Sequence, residues 1–118
     1  DWSQMSFFDS EIVRAEMAEI SELQEEVYSS VMQFAYMNNN DKLHHVHLLE
    51  KLLNKQKVLF TRLSLSDDPE AKQMKQNIVD SAKMMGLPPD VDITTVFDQM
   101  NKMLEIMKAQ IDTQQSEQ

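Results

Sequence analysis

Met84-Met85-Gly86-Leu87-Pro88-Pro89 contains the one glycine of this 118-residue chain, and the fold is read outward from it. Glycine takes positive φ at little cost, and hairpin turns, phosphate-cradling loops and nucleophile elbows depend on such positions. A chain with a single glycine is therefore expected to be all-α. Gly86 is placed to end a helix, and Pro88 forbids its continuation.

Upstream of that stop, Ser66-Asp67-Asp68-Pro69-Glu70 sets a capping aspartate before a proline at the first helical position. This predicts a helix over 69–85, burying Ala71, Met74, Ile78, Ala82 and Met85. Downstream, Pro89-Asp90-Val91-Asp92 opens a helix predicted over 92–112. Its seam, Ile93, Phe97, Met100, Leu104, Met107 and Ile111, has the alternating four–three spacing of a heptad, suited to a bundle or a coiled coil. The polar residues 113–118 are expected to fray. Further upstream, Val46, Leu49, Leu53, Phe60 and Leu63 mark one face of a helix over 41–63. Leu48, Leu52 and Leu59 widen that face, so this helix is expected to touch the most neighbours. Asn38-Asn39-Asn40-Asp41 breaks the chain before it, with Asn40 or Asp41 as the cap. Before the break, Val13, Ile20, Val27 and Phe34 recur every seven residues in a helix predicted over 9–36, with Phe7 and Phe8 free to fold back on its first turn. The expected architecture is a single all-helical domain over 6–112: a long antiparallel hairpin plus two shorter helices, bundle-like and completed by dimerisation. Met5-Ser6-Phe7-Phe8 reads as a native start, which makes 1–5 an unstructured or vector-derived extension.

Composition narrows the function classes. No run approaches the ~18 apolar residues of a membrane span, and no secretory leader pattern is seen, so a cytoplasmic protein without membrane insertion is expected. Without cysteine there are no disulfides, thiolate metal sites or thiol nucleophiles. The net charge of −9 opposes direct nucleic-acid binding. The acids crowd the first helix (Glu11, Glu16, Glu19, Glu22, Glu25 and Glu26 among them), while Lys42, Lys51, Lys55, Lys57 and Arg62 follow in the second. The simpler expectation is two neighbouring helices with complementary faces; the alternative is an acidic face that meets a basic partner or mimics nucleic acid.

His44-His45-Val46-His47 is the one histidine cluster. With Asp41 one turn earlier, His44 and His47 are weak candidates for metal ligands, against the simpler expectation of polar residues in exposed first turns. A di-iron carboxylate bundle needs two Glu-x-x-His pairs, and the chain has none. No Gly-x-Ser-x-Gly or glycine-rich phosphate loop occurs, so no enzyme activity and no cofactor are expected.

Methionine is in excess at ten residues, and unbranched thioethers suit adaptable binding faces. Met84 and Met103 fall off the main stripes. Tyr28, Met32 and Tyr36 form a second stripe on the first helix at i, i+4 and i+8, which suggests burial against a second copy. Candidate interface residues are therefore Tyr28, Met32 and Tyr36 for a dimer, with Phe7, Phe8, Arg62, Met84 and Met103 for another protein partner.

The opening Met5-Ser6-Phe7-Phe8-Asp9-Ser10-Glu11-Ile12-Val13, the stretch Leu52 to Ala71, and Met84-Met85-Gly86-Leu87-Pro88-Pro89-Asp90 with Phe97-Asp98-Gln99-Met100 resemble a family of small proteins of cyanobacteria and their phages. The similarity runs from Met5 to about Asp112 and looks closest to the phage members. That family is a domain of unknown function, so the resemblance implies a setting, the cyanobacterial cytoplasm, and no mechanism. The expected function is a non-enzymatic interaction module, an adaptor or modulator of a host protein. The alternatives are a metal-binding protein using Asp41, His44 and His47, and an acidic nucleic-acid mimic.

Overall fold

The computed structural model describes residues 6–117. Residues 1–5, expected to be an extension, lie outside the described residues, as does Gln118. Four α-helices are seen among the described residues: α1 (Glu11–Val31), α2 (Asn39–Leu65), α3 (Pro69–Met84) and α4 (Ile93–Glu117), with 3-10 turns at Phe7–Asp9 and Phe34–Tyr36 and no strand.

The helix ends follow local chemistry. Ser6 and Asp9 close a reciprocal capping box around the first 3-10 turn, and Ser10 caps α1. α1 stops at Val31, short of Tyr36. Ser29 and Ser30 turn their hydroxyls back onto the Glu26 carbonyl (2.8 and 3.2 Å), which weakens the last turn, and the chain tightens into the 3-10 turn that carries Phe34. Asn38 caps α2 through the Asp41 N–H at 2.8 Å, so that helix begins earlier than expected and runs on to Leu65. Asp68 and Pro69 start α3 as the sequence indicates. Gly86 has φ 99°, its N–H donates to the Lys83 carbonyl, and the Leu87 N–H donates to the Ala82 carbonyl. This paired return closes α3 and needs the left-handed residue that only glycine takes easily. α4 continues through the polar segment expected to fray, as far as Glu117.

α2 is the hub. The helix expected to present one broad apolar face presents two. Leu52, Leu59 and Leu63 are buried in a cluster with Val13, Ile20, Leu23 and Val27 of α1 and Ala71 of α3. Val46, Leu53 and Phe60, seven residues apart, are buried outside that cluster, and Leu53 and Phe60 face α4. Phe60 meets Phe97 at 6.3 Å between ring centroids. α1 and α4 both run antiparallel to α2. On one side Glu16 pairs with Arg62 (3.1 Å) and Glu19 with Lys55. On the other Lys57 pairs with Asp98 (2.6 Å) and Lys108 with Glu50 (3.0 Å). The acid–base imbalance of the first two helices is thus partly neutralised within the molecule.

The four helices do not close into a compact bundle, because α1 and α4 each pack on α2 and hardly on each other. The molecule measures 62 × 32 × 20 Å with a radius of gyration of 17.2 Å, whereas a compact chain of this length has ~13.5 Å. Its accessible surface is 8376 Å², against about 6,600 Å² for a compact monomer of this mass. Setting aside about 1,000 Å² for residues 1–5 and 118 still leaves an excess of about 750 Å².

Candidate functional site

The open side of this arrangement is an apolar groove of about 340 Å³ between α1 and α4, with α2 as its floor. Val27 and Tyr28 of α1 form one wall. Met100, Met103, Leu104 and Met107 of α4 form the other, and Leu49, Leu52, Leu53 and Gln56 lie beneath. Heptad spacing explains why each helix reaches the groove: Val27 and Leu104 belong to the stripes that dock α1 and α4 on α2, and Tyr28 and Met103 stand one residue round from them. Both project to solvent, Tyr28 with 68% and Met103 with 64% of its surface exposed. Two residues singled out from distant parts of the sequence therefore share one site.

The other candidates are distributed differently. Met32 (85% exposed) and Tyr36 (90%) lie beyond the end of α1, so Tyr28, Met32 and Tyr36 do not form a continuous helical stripe. Met84 (89%) and Met85 are exposed at the α3 corner, away from the groove lining. Phe7 and Phe8 are not an exposed contact surface. Edge-to-face at 5.1 Å, they are half-buried against the main core, as their folding back on α1 requires. Arg62 is half-exposed and engaged with Glu16.

The histidine cluster is drawn apart. His44 and His47 are exposed, with His47 3.5 Å from Glu50, whereas His45 points inward with 3% of its surface exposed. Its Nδ1 lies 2.9 Å from the Ser30 hydroxyl, and its ring is 5.3 Å from that of Phe34. Burial, and secondarily the neighbouring His44, hold His45 below the usual imidazole range. Asp41, His44 and His47 do not gather: among the described residues no three His, Asp or Glu side chains are grouped to hold a metal ion.

Ile106, outside the seam that marks α4 in the sequence, is 57% exposed one turn beyond Met103. Gln99, Met103, Ile106 and Gln110, spaced four, three and four, form a second row on α4, about 100° round from the seam that docks on α2. The spacing was present in the sequence. Two polar members concealed it.

The chain belongs to the family described as Domain of unknown function (DUF1825), whose model matches residues 5–111. No curated protein and no solved structure matches it. No helix among the described residues is long and apolar enough to cross a membrane.

Proposed function

We propose that this protein is a non-enzymatic helical interaction module that receives an apolar helix of a protein partner in the groove between α1 and α4. In the setting implied by the sequence resemblance, it is an adaptor or modulator acting in the cyanobacterial cytoplasm, encoded by host or phage. The single observation that carries the proposal is the groove itself: an open trough, walled by exposed Tyr28 and Met103 and floored by leucines. Adaptable methionines on a concave apolar surface suit recognition of an amphipathic helix through residues one turn apart. The acidic-mimic alternative is weaker, because Glu16 and Glu19 are engaged with Arg62 and Lys55 and are withdrawn from any phosphate-like array.

The test is a photo-crosslinking residue placed at Met103, with Gln73 on the polar face of α3 as control, used on purified protein and in cyanobacterial lysate. Defined adducts at position 103 that disappear on Tyr28→Glu support the proposal. Equal, diffuse labelling from both positions refutes it.

A further inference from the structure

The outer row of α4 reads nearly the same in both chain directions. Gln99 and Gln110 stand at its ends and Met103 and Ile106 at its centre; all four are exposed, and Met103 also lines the groove. An interface between identical copies about a two-fold axis must be self-complementary, and in two antiparallel helices the residues opposite one another have numbers of constant sum. With the axis midway between Met103 and Ile106, each Met103 faces the other copy's Ile106, and each Gln99 faces the other copy's Gln110.

We infer that the groove is occupied by α4 of a second copy of this chain, antiparallel to the first, with Met103 of each copy against Ile106 of the other. This rests on the groove being an interaction site, as proposed above, and names its occupant. The surface excess, about 750 Å² per molecule, is close to the ~800 Å² per partner that a standard stable interface buries. Charge fits as well. Lys102, beside the outer row, and Glu25, one turn before Tyr28 on the α1 wall, are exposed and form no ion pair among the described residues. A foreign helix needs neither a row that matches its own reverse nor an acid and a base left on opposite walls.

The absence of native cysteine makes the register directly testable. Met103→Cys protein and Ile106→Cys protein are mixed and oxidised. The inference expects the mixed disulfide in clear excess over either like-with-like product, since only the mixed pair stands directly opposite. It also expects the unmodified chain to have twice the monomer mass by light scattering, and Ile106→Glu to give the monomer mass with unchanged helical circular dichroism. Met103→Glu is the second monomerising variant. A monomer mass for the unmodified chain at its highest soluble concentration overturns the inference. So does a dimer that persists in both variants, or a random distribution of disulfides. If the unmodified chain is a monomer and position 103 still crosslinks to one defined protein, the second-copy occupant is wrong and the interaction module stands. If position 103 crosslinks to nothing, both fall.

Discussion

Leu63→Ala tests whether the two apolar faces of α2 belong to separable layers. Leu63 is 1% exposed and lies in the cluster shared by α1, α2 and α3. Truncation removes three carbons, which at ~0.8 kcal/mol per methylene costs about 2.4 kcal/mol of transfer free energy. The surrounding helices are tied by Glu16–Arg62 and Glu19–Lys55 and cannot fully collapse into the space, so a cavity contribution raises the total to about 3–4 kcal/mol. α4 docks through the other layer, in which Ile93 and Ile111 are buried and Phe97 meets Phe60. Undocking α4 does not expose Leu63, so the free energy of that local opening is unchanged by the substitution. Native-state hydrogen exchange followed by mass spectrometry reads both quantities. The most protected amides of α1 should exchange about 10²–10³ times faster, and those of α4 should keep their rates. The measurement belongs in the Ile106→Glu background, so that self-association does not protect α4. Acceleration of α4 by the same factor as α1 would refute the two-layer account and show one cooperative core.

Asp68 accepts from the N–H groups of Phe7 (2.5 Å) and Glu70 (2.8 Å), and these bonds, the Phe7 bond foremost, hold its carboxyl below the usual value of 3.8. A lowered folded value means that its contribution is present above pH 3.8 and is lost as pH falls through the folded value. Asp68→Asn should therefore lower the urea midpoint at neutral pH and flatten the acid limb below pH 3.8; an unchanged acid limb would count against this role. His45 is likewise lowered, from 6.5, by burial and then by His44, so the unfolded chain takes up the proton first and stability falls as pH drops below 6.5. His45→Leu should remove that slope in urea midpoints taken across the window, and its persistence would assign the slope to another group. Nothing lies within 4 Å of a Cβ built on Gly86, so Gly86→Ala should cost only the backbone strain of positive φ, about 1–2 kcal/mol in thermal unfolding, with Gly86→Asn milder. Equal stability of the alanine variant and the parent would show that the corner relaxes.

The start of α3 and its glycine stop are legible in the sequence because caps act over one turn. Asp68, Pro69 and Gly86 carry their own stereochemistry and need no distant partner. The end of α1 is less legible. Its heptad stripe runs on to Phe34, but the paired serines and the inward pull of Phe34 toward His45 turn the chain before that. By sequence alone His45 is one of three polar residues in the exposed first turns of a helix. Its burial depends on Ser30, fifteen residues earlier, which supplies the hydrogen bond without which the imidazole would stay in water. Tyr28 and Met103 were each recognisable as surplus apolar residues; their convergence on one groove was not, because it requires α1 and α4 to share α2 without sealing against each other.

Residue spacing, capping chemistry and the lone glycine are enough to specify an all-helical chain, because helix formation is governed by contacts three and four residues apart. They also place most of the buried stripes. Which stripe meets which depends on contacts tens of residues apart: Glu16 with Arg62, Lys57 with Asp98, and Phe60 with Phe97. Those long-range pairings assign the faces of α2 to two different helices and leave the trough between them open. Hydrophobic periodicity shows that a face must be covered, and not by what, since burial of apolar surface carries no direction of its own.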